Sequence, residues 1–407
     1  MAWRAPTLAA LLVLAGGAGL AQPFGPPDRD FWPLDDYREL PTTWVAEGFA
    51  AEGCEAMFVA GPPYQGRPTR IFAYLGLPAL QPGERVPAMV LVHGGGGTAF
   101  AEWVARWTQR GYAAIAMDTC GQIPRGTYGN WERHEHSGPP GWGGLDQLGA
   151  PLEDQWTYHA VASVLLAHTV LANRPEVDPA RIGLTGISWG GYLASIVAGV
   201  DSRLQCVIPV YGTGFYQHTV FSEAADLTAE PYNAWQRNWD PGQYLGRAEM
   251  PLCWVTGSND FFFWPPALQA SYRAANGPQT LCVRLRMPHG HGDAGEGPAE
   301  IFAFADSVLR GGEPLARVYN ASRAGAAVQA RVESPRPLAN AELCYTTAAG
   351  RWPDRLWETL PAEVLGDPRR GATLRATLPA GTTAWYFNVF DDRDLCVSSE
   401  HEELTGD

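Results

Sequence analysis

A chain of 407 residues, 46% of them hydrophobic, is long enough for two domains and a large core. Its formal charge of −14 argues against nucleic acid and anionic membrane surfaces as partners and favours a neutral or cationic substrate. All 29 basic residues are arginine, which excludes a Walker A phosphate loop, a lysine Schiff base and a Ser–Lys dyad, since each needs an ammonium group.

The N-terminus has one early positive charge at Arg4, an apolar run from Ala5 to Leu20 broken by Gly16, Gly17 and Gly19, and a small-residue site at Gly19-Leu20-Ala21. This pattern predicts a secretory signal over residues 1–21, cleaved after Ala21, rather than an uncleaved anchor. The mature protein is then expected to be soluble, off the membrane, and secreted or periplasmic. Seven cysteines follow, an odd number that leaves at least one free thiol. Cys206, Cys253 and Cys282 sit in apolar runs as small buried residues would, and Cys344 and Cys396 are the candidate pair.

Residues 22 to about 50 read as an extended lead-in rich in Pro, Trp and Asp. Glu55 to Ala60 and Thr69 to Gly76 are strand-like runs joined by the turn-rich G-P-P-Y-Q-G. Ala88 to Val92 is a fully apolar strand running into His93 and four glycines. Phe100 to Arg110 has helical spacing and stops at Gly111, and Tyr112 to Met117 is another buried strand. Strands apolar on both faces, alternating with helices, predict a parallel sheet covered on both sides. The chain then reads as loop from 121 to 150, helix from Leu152 to Asn173, turn from Pro175 to Pro179 and strand from Arg181 to Ile187. Strands follow at Cys206 to Val210, Pro251 to Thr256 and Leu281 to Met287, and helices at Pro265 to Ala275 and Pro298 to Leu309. An aromatic insertion occupies about 212–247. Beyond Gly312, short alternating runs broken every eight to twelve residues predict a small antiparallel β-sandwich. The expected organisation is therefore an α/β domain over 22–312 and a sandwich domain over 313–407.

Between the strand at 181–187 and the next helix stands G-I-S-W-G-G, a G-x-S-x-G nucleophile elbow formed by Gly186, Ser188 and Gly190. The glycines leave room for a strained strand-to-helix turn that exposes the serine and aims the Trp189 N–H at a bound acyl oxygen. A second oxyanion donor is expected from the glycine run, at Gly95 or Gly96. Without lysine, the serine must take a histidine base. Asp260, just past a strand end, is the candidate acid. The base is His291 or His289, with His291 preferred because it lies farther past the expected strand end at Met287 and so reaches back better; the order Ser, Asp, His is the one a hydrolase sheet uses.

The same loop permits another chemistry, because His289-x-His291-x-Asp293 has the spacing of a metal-binding motif. Such motifs usually continue with a further histidine, where this chain has Ala294. The expectation is accordingly no metal and no cofactor.

From about Cys54 to Leu309 the chain resembles the α/β-hydrolase fold, and within it the secreted bacterial relatives of acetyl xylan esterase, cephalosporin C deacetylase and dienelactone hydrolase. The residues that carry the resemblance are L-V-H-G-G-G-G (91–97), A-M-D-T-C-G-Q (116–122), V-D-P-A-R-I-G (177–183), G-I-S-W-G-G (186–191), G-S-N-D (257–260) and the H-G-H-G loop. The resemblance implies a Ser188, Asp260, His291 triad with Trp189 in the oxyanion hole. Departures at Cys120, Trp189 and Gly292 from the deacetylase pattern point to acyl hydrolysis more than to sugar deacetylation. The expected function is hydrolysis of small-molecule or carbohydrate esters, acetyl or aryl. The alternatives are a prolyl oligopeptidase-type peptidase and a non-catalytic binding protein on a hydrolase scaffold.

Overall fold

The structure, a computed structural model, describes residues 31–141, 147–224 and 229–404. The expected signal, residues 1–21, lies outside the described residues. Helix α1 (Leu34–Arg38) and strand β1 (Thr43–Val45) lead into a long hairpin, β2 (Cys54–Tyr64) and β3 (Arg67–Gly76). Its turn is only Gln65–Gly66, both at positive φ (50° and 72°), so most of the expected connection is strand. Then come β4 (Val86–Val92), α2 (Ala101–Thr108) and β5 (Ala113–Met117). The stretch expected to be loop contains a second hairpin, β6 (Gln122–Thr127) and β7 (Asn130–Arg133), whose largely exposed residues carry no apolar alternation.

Helix α3 (Trp156–Ala172), strand β8 (Val177–Ile187), helix α4 (Trp189–Ala198) and strand β9 (Cys206–Val210) follow without a break in pattern. The aromatic insertion holds α5 (Phe221–Ala224) and α6 (Glu230–Trp239), and the domain closes with β10 (Leu252–Gly257), α7 (Pro265–Ala274), β11 (Gln279–Arg284) and α8 (Ala299–Leu309). The nine strands outside the β6–β7 hairpin form one sheet in the order β1-β2-β3-β5-β4-β8-β9-β10-β11. From β5 to β11 every pairing is parallel. Each parallel strand is apolar on both faces because helices cover both: on β4, Val90 and Val92 join the core beneath α3 and α4, while Met89 and Leu91 join that beneath α2 and α8. Helix α3 is buried almost all round, as a helix pressed between the sheet and its neighbours must be.

Beyond α8 the chain is antiparallel. Strands β12 (Arg317–Ala324), β13 (Ala327–Glu333), β14 (Leu338–Thr346), β15 (Trp357–Pro361), β16 (Glu363–Leu365), β17 (Ala372–Thr377), β18 (Ala384–Asp391), β19 (Cys396–Ser398) and β20 (Glu402–Glu403) form two sheets, β12-β13-β17-β16 and β15-β14-β18-β19, with β20 also on β18. This second unit covers the edge strand β11. Asn388 and Tyr386 donate to the Val283 carbonyl at 3.0 and 3.3 Å, and Ser398 Oγ accepts the Val283 N–H at 2.8 Å. An edge that would otherwise offer unpaired backbone groups is thereby closed.

Cys344 and Cys396 do not pair. They lie opposite Tyr386 and Phe390 on strands either side of β18; two strand spacings of about 4.8 Å are more than a disulfide spans. All seven cysteines are free. Among the described residues, no helix is long and apolar enough to cross a membrane.

Candidate active site

Strand β4 pairs with β5 on one side and β8 on the other, so the chain reverses direction across the sheet at β4. Crevices beyond the strand ends at such a reversal are where open α/β sheets bind ligands. Here the glycine run leaves β4 and the elbow leaves β8, side by side. Ser188 sits at φ 57°, ψ −116°, a backbone conformation that non-glycine residues rarely adopt. It is held by its N–H on the Val210 carbonyl (2.9 Å) and by its own carbonyl on the Tyr192 N–H (2.9 Å). The flanking glycines are obligatory on steric grounds. A Cβ on Gly186 would stand 2.1 Å from Gly190 O, and one on Gly190 would stand 2.0 Å from Val92 O.

His289 Nε2 lies 2.8 Å from Ser188 Oγ, and its Nδ1 lies 2.6 Å from Asp260 Oδ2. Asp260 Oδ1 accepts the N–H groups of Phe262 (2.9 Å) and Phe263 (2.7 Å), and the carboxylate side chain is 1% exposed. The imidazole is stacked on Tyr211 (4.1 Å between centroids, 24°) and flanked by Phe261 at 4.6 Å. Tyr211 hydroxyl donates to Gly290 O and accepts Gly290 N–H. Tyr211 was not among the expected site residues; its only sequence signal is its position as the first residue past strand β9.

The structure thus brings His289, not the preferred His291, to Ser188. The reason is where the strand stops. β11 ends at Arg284 rather than Met287, and Arg286 turns the chain at φ 51°, so Leu285 to Pro288 already supply the reach that His291 was expected to need. His291 faces the other way, with Nε2 2.9 Å from Gly94 N and Nδ1 3.1 Å from Glu296 Oε1. The third member of the metal-like motif, Asp293, bonds Arg106 at 2.7 Å. The three side chains of that motif therefore diverge onto separate partners.

Trp189 is the first residue of α4, so its N–H has no acceptor within the helix and points out of the helix N-terminus beside Ser188. In the glycine run, the Gly94 N–H is taken by His291. Gly95 lies against the Trp189 ring, to which an added Cβ would approach within 3.0 Å, and Gly96 is at φ 77°. The β6–β7 hairpin caps this run. Tyr128 hydroxyl donates to Gly95 O (2.7 Å), and Trp131 Nε1 and Gly129 N donate to Gly96 O (2.8 Å each).

His93, in front of the run, is buried and held neutral. Burial pushes it down to about 3, its Nδ1 donates to Gly94 O at 2.9 Å, and its Nε2 accepts Thr119 N–H at 3.0 Å. Behind it, burial raises Asp118 to about 6, opposed by hydrogen bonds from Gln122, Cys120 and Thr98. Both lie in stretches that carry the resemblance but had no expected role; both serve the loops that carry the site.

The second unit also reaches the site. Asn259, next to Asp260, donates to the carbonyls of Pro353 (3.0 Å) and Arg355 (2.7 Å), and Arg286, near His289, donates to Trp357 O at 3.1 Å.

Comparison with known proteins agrees with this architecture. The family Acetyl xylan esterase (AXE1) matches residues 63–238, a stretch that contains Ser188 but neither Asp260 nor His289. Among solved structures, an acetyl xylan esterase from Paenibacillus sp. R4 is 21% identical with a TM-score of 0.55, covering 68% of this chain and 93% of that one. Acetyl xylan esterase 1 from Thermoanaerobacterium sp. JW/SL YS485 is 17% identical with a TM-score of 0.51, covering 66% and 90%. An uncharacterized peptidase, YuxL, of Bacillus subtilis is 24% identical over 205 residues, 46% of this chain but only 28% of its own length.

Proposed function

We propose that this chain, an α/β-hydrolase resembling acetyl xylan esterases, is an exported serine hydrolase that cleaves carboxylic esters through an acyl-enzyme. The observation that carries the proposal is the imidazole of His289, bridging Ser188 Oγ at 2.8 Å and Asp260 at 2.6 Å. His289 Nε2 takes the Ser188 proton as Oγ attacks the ester carbonyl, and Asp260 keeps the ring in the Nδ1–H tautomer and stabilises the imidazolium. The N–H groups of Trp189 and Gly95 stabilise the oxyanion. The tetrahedral intermediate collapses as His289 returns the proton to the leaving alcohol, and water, deprotonated by the same nitrogen, releases the acid.

The substrate class we propose is small-molecule or carbohydrate esters, acetyl or aryl. Two rings support it: Phe261, 50% exposed beside His289, and Tyr128, 43% exposed over the glycine run, offer flat apolar faces to a leaving group. Export rests on the pattern of residues 1–21. The sandwich, proposed to span 313–407, acts as a brace for the catalytic domain, proposed to span 22–312.

A fluorophosphonate probe should label the wild-type protein at Ser188 and leave Ser188→Ala unlabelled. Absence of labelling in folded wild-type protein would refute the mechanism and favour a binding protein on a hydrolase scaffold. The similarity to YuxL makes peptidase activity the second reading. A panel of acetyl esters against aminoacyl-proline amides separates the two, with turnover of the esters expected.

A further inference from the structure

His291 lies two residues beyond His289, and its ring has a different task. A ring nitrogen that accepts a backbone N–H carries no proton, so the contact of Nε2 with Gly94 N–H (2.9 Å) assigns the proton to Nδ1, which donates it to Glu296 Oε1 at 3.1 Å. Glu296, with its side chain 6% exposed, is held in turn by Arg106 Nε at 3.3 Å, and Arg106 also binds Asp293 at 2.7 Å. Phe100 and Trp103 close on the imidazole at 4.9 and 5.9 Å. The ring is therefore fixed in both orientation and tautomer by its surroundings.

What it grips is the first peptide of the glycine run. The Gly94 carbonyl accepts from His93 Nδ1 (2.9 Å) and Gly97 N (3.0 Å), and the carbonyls of Gly95 and Gly96 are taken by the β6–β7 hairpin. His291 supplies the acceptor for the Gly94 N–H. The gripped peptide is pressed on the elbow, since a Cβ on Gly94 would stand 2.6 Å from Ile187 O and 3.0 Å from Ser188 Cβ. Four consecutive glycines are intrinsically the most mobile stretch a chain can offer. Here the run is held at two N–H groups, those of Gly94 and Gly97, and at three carbonyls.

We propose that His291, oriented by Glu296, is a positioning residue that fixes the Gly94 peptide and so aims the Gly95 N–H at the oxyanion. The proposal rests on the serine-hydrolase reading above. Its consequence is that one short turn carries the base, His289, and also sets the oxyanion loop, so that both are held in the same frame. Displacement of a preorganised donor by a fraction of an ångström weakens stabilisation of the transition state more than binding of the ground state.

The test is the kinetics of p-nitrophenyl acetate hydrolysis, with inhibition by phenylboronic acid as a probe of the tetrahedral state. His291→Leu should lose about 10- to 100-fold in kcat with KM within about threefold, and its boronic acid Ki should rise in parallel. His291→Gln, long enough to bring an amide oxygen to the Gly94 N–H, should stay within about fivefold of wild type, whereas the shorter His291→Asn should resemble His291→Leu. A folded His291→Leu with kcat within threefold of wild type overturns the proposal. Should His291→Leu fail to fold, equal kcat values for the Gln and Asn variants overturn it. A wild-type protein that neither turns over the ester nor takes the fluorophosphonate label would instead overturn the hydrolase reading itself.

Discussion

Asp260 divides its carboxylate between its own loop and His289: Oδ1 accepts two backbone N–H groups, from Phe262 and Phe263, while Oδ2 faces His289 Nδ1 at 2.6 Å. The Asp260 carboxylate is therefore anchored in its own loop before it meets the imidazole. An amide at this position can present its N–H₂ to His289 only by forcing the ring into the wrong tautomer, with the proton on the nitrogen that faces Ser188. Asp260→Asn should accordingly lower kcat for p-nitrophenyl acetate by about 10³-fold or more, with an unchanged circular dichroism spectrum. A loss of less than tenfold would argue that Asp260 only caps its own loop.

The hairpin over the glycine run is open to a milder test. Tyr128→Phe removes the hydroxyl that donates to Gly95 O at 2.7 Å and keeps the ring stacked on Phe100. With Tyr128 43% exposed, stability should change by no more than about 1 kcal/mol. The kcat should nevertheless fall about five- to tenfold, because the lost bond steadies a peptide beside the proposed oxyanion donor. Unaltered kcat would mean that the hairpin does not steady the glycine run.

Asn259 tests the bracing role of the sandwich. Its amide spans two carbonyls of the second unit while the neighbouring residue is the proposed acid. Asn259→Ala should destabilise by about 1–2 kcal/mol in urea unfolding and reduce kcat several-fold without altering which acyl group is preferred. If activity is unaffected, the sandwich does not position the acid loop.

Packing at the elbow predicts a larger effect. A Cβ on Gly190 meets backbone, Val92 O at 2.0 Å and His93 O at 2.7 Å, with no side chain to swing aside. Gly190→Ala should cost about 3 kcal/mol or more and show as poor soluble yield or a sharply lowered Tm. A folded, active Gly190→Ala protein would mean that the strand ends can spread apart.

Acid should unfold the protein through its buried histidines. Burial pushes His93 down to about 3 and His159 down to about 4, and His134 and His401, only partly buried, also to about 4. Unfolded, each takes a proton near about 6.5. Between these values the unfolded chain binds more protons, so stability present above about pH 6.5 is lost as pH falls toward about 4. Asp118, raised by burial to about 6, and Asp240, raised for the same reason, act in the opposite sense, since their folded forms hold the proton. The histidines outnumber them, so Tm should fall steadily from pH 7 to pH 4.5, and unfolding at pH 5 should take up protons. A Tm that is flat or rising over that interval would contradict the assignment of these rings as neutral.

Much of this molecule was legible in the order of its residues, because local packing rules act over short distances. The elbow glycines, the apolar strands and the glycine run after β4 each follow from what a sharp turn or a twice-covered strand allows. The second hairpin was not legible, since its strands are exposed and polar and are held by single side chains, Tyr128 and Trp131, reaching the glycine run. Nor was the clamp on Gly94, whose partners His93, His291 and Glu296 come from three separate stretches of chain.

The sequence by itself determined that a serine turn, a carboxylate and a histidine loop would each follow a strand of a parallel-rich sheet, β8, β10 and β11 in turn, because those positions are set by chain connectivity. Tertiary structure alone decided which imidazole meets Ser188. Where β11 releases the chain, and which rings stack beside each imidazole, Tyr211 and Phe261 for His289 or Phe100 and Trp103 for His291, depends on packing between distant segments, and two histidines two residues apart carry no local signal that distinguishes them.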